Sequence, residues 1–328
     1  MTMDMPQALV KDVHNIRLAM LGMVDGNGHP FSWSAIINGS YDADAMADCG
    51  YAVIPQYLGR NRDKLGIAGA SVTHVWCDDP DDARHVAKAA HISNIVSTPT
   101  DVIGHVDAVI IPTDKGHEHA ARVRPFIEAG LPVFIDKPMT DNESDLQQFV
   151  AWHDQGKPLL STSCMRYAGE FAELRRRISE VGELRLIVHT MIKSWERYGI
   201  HALEAVYPFL PTGGWRCVTN SGDATHAIVH VRHDCGVEVL LPVIEDMMGG
   251  YAHMNVYGTD GALQARMSDS FHAFKTQLAA FIDFLRTGES PVAFSETVEL
   301  MKIIIAGIQS REQGGTAVEV GSVVSSMS

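Results

Sequence analysis

Short apolar runs, rich in β-branched and aromatic side chains, recur through the first half of the chain. They are Ile16 to Val24, Val72 to Cys77, Ile95 to Ser97, Val106 to Pro112 and Pro132 to Ile135. Runs of this length read as strands covered on both faces, the habit of a parallel sheet. Helix-like stretches stand between them: Ser32 to Ile37, Ala83 to Ala90, Thr100 to Ile103 and one ending near Gly130. The alternation predicts a doubly wound parallel sheet. Residues 39–70 break the rhythm, with Pro55 interrupting the only strand-like run, Tyr51 to Leu58, and predict a surface excursion.

The second half is patterned differently. Asp141 to Gly156 and Tyr167 to Val181 are amphipathic, the latter with Phe171, Leu174 and Ile178 on one stripe. Glu183 to Ile192, Val237 to Pro242 and Met254 to Tyr257 read as strands, with a turn at Gly258 to Gly261. Phe271 to Arg286 and Ser295 to Ser310 read as helices. A length of 328 residues accords with two domains.

Hydrophobic residues make up 46% and charged residues 20%, the balance of a globular chain. A formal net charge of -14 argues against nucleic acid or an anionic membrane as partner, since both need clustered positive charge. The five cysteines are odd in number and scattered, which favours a reducing compartment over a disulfide framework or zinc site. Met1 to Lys11 has no long apolar core, and no apolar run approaches a membrane span, so a cytoplasmic protein is expected.

Candidate chemistry gathers where the predicted strands end, which is where open α/β sheets bind ligands. After the first strand comes Asp25-Gly26-Asn27-Gly28-His29-Pro30-Phe31. Gly26 and Gly28 fit two positions of a G-x-G-x-x-G dinucleotide turn, but Phe31 stands at the third, and a plain turn is the competing reading. The second strand ends at Asp78 and Asp79, candidates for binding ribose hydroxyls or for capping the next helix, and nearby Arg84 keeps NADP open beside NAD. The fifth strand runs into Asp136-Lys137-Pro138, where a cis X-Pro bond would aim the lysine into a crevice. His117 and His119 do not share a helix face, and His226 and His230 lie too far apart along a strand for one ion, so no metal is expected.

These features together resemble the Gfo/Idh/MocA oxidoreductase family. The resemblance rests on the glycine turn, the acid-tipped second strand, Val106 to Thr113 with His119 beyond it, Gly130 to Val133, and above all Asp136-Lys137-Pro138. It continues through Pro158 to Tyr167, and in Gly199 and His201, where the family pattern is D-x-G-x-H and Arg197 replaces its aspartate. It implies a dinucleotide-binding Rossmann domain over residues 1–145. An α/β domain with a large open, mostly antiparallel sheet would follow over 146–328, bearing substrate and oligomer contacts. Lys137 and His201 would be catalytic, the histidine as base and the lysine as oxygen clamp, with a lowered lysine pKa letting it share the proton. Gly26, Asn27, Gly28, His29, Asp78, Asp79, Thr113, His119, Asp136, Lys137 and Pro138 would bind NAD or NADP, with NAD preferred. Arg166, Arg197 and Tyr198 would contact a small polyhydroxylated substrate, although Arg197 could instead pair with Glu196 or Glu204. The implied activity is alcohol–ketone interconversion on a sugar, cyclitol or related polyol by a homodimer or homotetramer. A redox-neutral glycosidase or epimerase-like enzyme and a non-catalytic dinucleotide-binding protein are the alternatives.

Overall fold

A computed structural model describes residues 7–323. The ends of the expected domain ranges, Met1 to Pro6 and 324–328, lie outside the described residues, as does the first half of the Met1 to Lys11 stretch.

The first half alternates as the apolar runs predict. Its elements are β1 (Ile16–Leu21), α1 (His29–Asn38), α2 (Ala43–Ala47), α3 (Val53–Arg60), β2 (Ala70–Trp76), α4 (Pro80–Ala89), β3 (Asn94–Ile95), β4 (Ala108–Ile111), α5 (Gly116–Glu128), β5 (Val133–Ile135), α6 (Glu143–Asp154) and β6 (Leu159–Leu160). All six strands pair in parallel in the order β3-β2-β1-β4-β5-β6. Strand periodicity sends alternate side chains to opposite faces. Leu18, Met20, Val75, Ile110 and Phe134 join one core with α1 and α4, whereas Ala19, Leu21, Val109, Ile111 and Val133 join another with α5 and α6.

The first sheet's surroundings correct the sequence reading in two places that bear on the site. β1 stops at Leu21, because Gly22 turns the backbone to φ +108°. Residues 39–70 are not irregular: Pro55 falls in the first turn of α3, where its missing N–H costs no helical bond.

The second half contains α7 (Gly169–Arg176), β7 (Leu184–Ile192), α8 (Ile200–Val206), β8 (Trp215–Asn220), β9 (His226–His233), β10 (Glu238–Ile244), β11 (His253–Gly258), β12 (Ala262–Arg266), α9 (Ser270–Thr287), α10 (Phe294–Glu312) and β13 (Val318–Glu319). Its seven strands form one sheet ordered β12-β11-β7-β10-β9-β8-β13, antiparallel except for β7 with β10. The chain then returns to the first sheet. Leu278, Phe281, Ile282 and Leu285 of α9 pack in the core that holds Leu18 and Phe134. A division at 145/146 therefore leaves α9 on the far side of the boundary from the sheet it covers. Gly199 precedes α8 because a Cβ there would overlap the ring of fully buried Trp195, whose Nε1 donates to the Ile304 carbonyl at 2.9 Å.

Candidate active site

The carboxyl edge of the parallel sheet gathers most of the expected residues. Beyond β5, Asp136 is fully buried and Lys137 is 2% exposed, with a cis bond to Pro138. The Lys137 ammonium lies 3.6 Å from Asp114, at the exit of β4, and 4.8 Å from the centre of the Tyr198 ring. Burial pushes the lysine pKa down, but the Asp136 and Asp114 carboxylates outweigh it and hold the group above its ordinary value. The expectation of a lowered lysine pKa is thereby corrected: Lys137 is a fixed positive charge.

A cavity of about 330 Å³ opens against Lys137. Asn27, His29, Asp114 and Tyr198 line it together with Tyr51, Ile54, Tyr57, Tyr251 and Phe274. His29 stacks on Trp33, with ring centres 4.3 Å apart, and donates from Nδ1 to Asp136 at 2.8 Å.

His201 sits behind this group. It is 5% exposed, its Nδ1 meets the Ser163 hydroxyl at 2.6 Å, and the Tyr198 ring meets it edge-on at 4.7 Å. Burial, then the charge of Lys137, hold its pKa well below the ordinary histidine value, so the ring is neutral.

Several expected contacts are taken inside the protein. His119 is fully buried, with Nδ1 donating to the Pro138 carbonyl at 2.9 Å and Nε2 3.0 Å from the Thr113 hydroxyl. It staples the loops after β4 and β5 together and offers no surface to a cofactor; Thr113 is equally buried. Asp79 accepts from the Asp81 N–H and caps α4, which leaves Asp78 as the acid at the tip of β2. Asp78 accepts from the Met23 N–H and from Arg122, at 2.8 Å. Arg166 is not at the cavity: it pairs with Glu204 and Glu296 and stacks over Tyr207. Arg197 pairs with neither Glu196 nor Glu204. It donates to both oxygens of Asp114, at 2.7 and 2.9 Å, and to the Asp25 carbonyl. Lys193 donates to the Gly26 carbonyl at 2.9 Å, so two cations of the second half hold the glycine turn.

The turn itself is arranged differently from the expected motif. Gly22 follows β1 directly, and a Cβ there would lie 3.0 Å from Thr113 and 3.7 Å from Asp78. Gly26 also takes positive φ, +77°. At Gly28 a Cβ would meet Ile54 of α3 at 2.5 Å and the ring of Tyr51, just before that helix, at 2.7 Å, so this glycine makes room for those two side chains. Phe31 is buried and meets the His85 ring of α4 edge-on. Gly22 comes against Asp78 beyond the ends of β1 and β2, and within the turn Asn27 Nδ2 donates to Asp136 at 3.2 Å. Gly22, Asp114, Arg122 and Lys193 escaped the sequence reading. Gly22 was hidden by an overlong first strand, whereas Asp114 stands at a strand exit, the signal that exposed Lys137.

No group of side chains that could hold a metal ion occurs among the described residues, and no helix among them is long and apolar enough to cross a membrane.

Fold and site define a Rossmann-type dinucleotide domain joined to a mixed-sheet domain. Residues 49–162 match the GFO_IDH_MocA model, described as an oxidoreductase family with an NAD-binding Rossmann fold. Inositol 2-dehydrogenase 4 of Saccharopolyspora erythraea is 34% identical over 116 residues, 34% of either chain. Inositol 2-dehydrogenase of Rhodococcus erythropolis is 34% identical over 139 residues, 40% of this chain and 39% of that one. These matches span little more than a third of the relatives' length. The scyllo-inositol dehydrogenase of Lactobacillus casei, solved with NAD(H) and scyllo-inositol bound, superposes with a TM-score of 0.71 at 13% identity, covering 94% of this chain and all of that one. The likeness therefore extends to the fold of the second half.

Proposed function

We propose that this protein is a nicotinamide-dependent dehydrogenase interconverting an alcohol and a ketone on a cyclitol, sugar or related polyol. The observation that carries the reading is Lys137: a desolvated, permanently charged ammonium at the carboxyl end of a parallel strand, facing a cavity beside the glycine turn. The inositol dehydrogenases to which the chain is similar support a cyclitol as the first substrate to test. The Asp78 carboxylate favours NAD, since it would accept from ribose hydroxyls and repel a 2′-phosphate.

The cofactor, when bound, supplies the hydride acceptor or donor. Gly22 and Gly26 would let the backbone approach its pyrophosphate, and Asp78 would hold its ribose. Lys137 grips the substrate oxygen and stabilises the negative charge that develops there. Tyr198, held between the Lys137 and Lys193 ammoniums, contacts other substrate oxygens. His201, neutral and enclosed, positions Tyr198. Arg197 joins the two halves across Asp114.

We place the domain boundary after β6, with α9 returning to the first domain, and assign a homo-oligomer to the open face of the second sheet. On that face Ile228 and Tyr257 are each 41% exposed. Five free cysteines accord with a reducing cytoplasm.

The test is calorimetry with NAD+ and NADP+, followed by reduced-nicotinamide absorbance on a panel of myo-inositol, scyllo-inositol and free sugars. Binding of neither nucleotide would sink the reading. Cofactor binding with glycoside turnover and no net reduction would replace it with the redox-neutral alternative.

A further inference from the structure

Asp136 is a fully buried carboxylate whose side-chain partners are Asn27 of the turn before α1 and His29, the first residue of that helix. Its Oδ2 receives His29 Nδ1 at 2.8 Å and Asn27 Nδ2 at 3.2 Å; its Oδ1 receives the Lys137 N–H at 2.8 Å. An ionised carboxylate only accepts, so His29 Nδ1 carries the proton of that bond. In the neutral ring Nε2 is then left bare, with its lone pair available.

The ring is gripped on two sides. Trp33 stacks against it with an interplanar angle of 13°, and Phe274 meets it edge-on with ring centres 5.2 Å apart. Nδ1 is spoken for by Asp136, and Nε2 makes no hydrogen bond to the described residues. The side chain keeps 15% of its surface and lines the cavity that Lys137 faces. A base within reach of the reacting group, oriented by a third group, is the arrangement that proton transfer requires. His201 lacks it: Ser163 occupies its Nδ1, no carboxylate among the described residues orients it, and burial, then Lys137, disfavour its protonation.

Resting on the dehydrogenase reading, we propose that His29 and Asp136 form the proton-transfer dyad of this cavity, with His29 Nε2 as the catalytic base. In oxidation the substrate O–H bond breaks and its proton passes to Nε2. The oxygen electron pair forms the C=O bond, and the carbinol hydrogen leaves with its bonding pair to an oxidised nicotinamide, the two-electron acceptor. Asp136 stays ionised beside the imidazolium, and Lys137 faces the oxygen. Reduction runs the same path backward. The histidine of the glycine turn thus acts on the substrate, and the turn serves both cofactor and proton.

The test has two arms. Nitrogen-15 NMR of histidine-labelled protein at mildly alkaline pH should find His29 in the Nδ1-protonated tautomer, and Asp136→Asn should shift it toward the Nε2-protonated form. An Nε2-protonated His29 in the wild type overturns the proposal, whether or not a substrate is in hand. In the second arm, His29→Gly should lower kcat on whichever panel polyol the wild type oxidises by roughly 100-fold, and added imidazole should restore about tenfold. NADH affinity, read by fluorescence titration, should stay within about threefold, because a base contributes to the chemical step and not to cofactor binding. An active wild type whose His29→Gly variant keeps its kcat, or is not rescued, overturns the dyad and leaves the dehydrogenase reading intact. A wild type that binds no NADH overturns both.

Discussion

Arg197 Nη2 stands 2.7 and 2.9 Å from the two carboxylate oxygens of Asp114, which places a cation of the second half on a buried acid of the first. Lys137 approaches the same carboxylate at 3.6 Å, and Asp114 itself is 1% exposed. Burial alone would raise the Asp114 pKa, but Lys137 and Arg197 hold it below the ordinary aspartate value. Removing one partner of a buried ion group leaves the others uncompensated. Asp114→Asn is therefore expected to cost about 3 kcal/mol, or roughly 5–10 °C in Tm.

The pH dependence of that loss has a definite sign. A group whose folded pKa is depressed stabilises the fold fully above its unfolded value, about 3.9 for aspartate. That contribution fades as pH falls through the lower folded value. The Tm gap between wild type and Asp114→Asn should hold from neutral pH down to about 4 and narrow only in stronger acid. Thermal melts across that range decide it; equal melting at neutral pH would show that Asp114 is not a structural anchor.

Two glycines of one turn should fail in different ways. Gly28 has φ −92°, which any residue adopts, but a Cβ there runs into Ile54 and Tyr51. Gly28→Ala should lose about 1–3 kcal/mol through overpacking, with little direct change in NAD+ affinity. Gly22 has φ +108° and lies between Thr113 and Asp78. Gly22→Ala should weaken NAD+ binding more than it lowers Tm relative to Gly28→Ala. Paired melts and titrations test the contrast, and loss of NAD+ affinity at unchanged stability in Gly28→Ala would return that residue to the phosphate site.

Under the proposed function, cofactor choice would turn on the Asp78–Arg122 pair. The carboxylate that would receive ribose hydroxyls already holds a guanidinium at 2.8 Å. Asp78→Ala removes the acceptor and its repulsion and frees a cation suited to phosphate. NAD+ should bind roughly tenfold more weakly, a change of about 1.4 kcal/mol, while NADP+ holds or gains. Calorimetric Kd values for the two nucleotides give the ratio, and a ratio unmoved by the substitution would remove Asp78 from the ribose site.

The framework was legible because periodicity and strand ends are local. Apolar runs marked the parallel sheet, and Asp136-Lys137-Pro138 marked the edge that faces the cavity. Pairing across the fold was not legible. Arg197 reads as a free cation until the chain brings Asp114 to it, 83 residues away in sequence. Arg166 likewise looked available until Glu204 and Glu296 met it. His29 looked like part of a glycine turn because its meaning depends on Asp136, 107 residues on. Gly28 matched a motif by spacing, yet its space is filled by Tyr51 and Ile54 from a stretch read as irregular.

Lys137 carries the sharpest mechanistic test. Its charge is fixed by Asp136 and Asp114 against burial, so it contributes an electric field and not a titrating proton. Lys137→Met keeps much of the length and removes the charge. The kcat on a reactive polyol should fall by roughly 10²–10³, the worth of a preorganised donor at a developing oxyanion. NADH affinity should change far less. Because the ammonium stays protonated through neutrality, the residual activity should retain the wild-type dependence of kcat on pH. Lys137→Arg should not restore the rate, since a planar guanidinium replaces a compact ammonium at a site only 2% exposed. Steady-state rates across neutral pH for the three proteins provide the comparison. Loss of one limb of the pH profile in Lys137→Met would show instead that the lysine itself carries the proton.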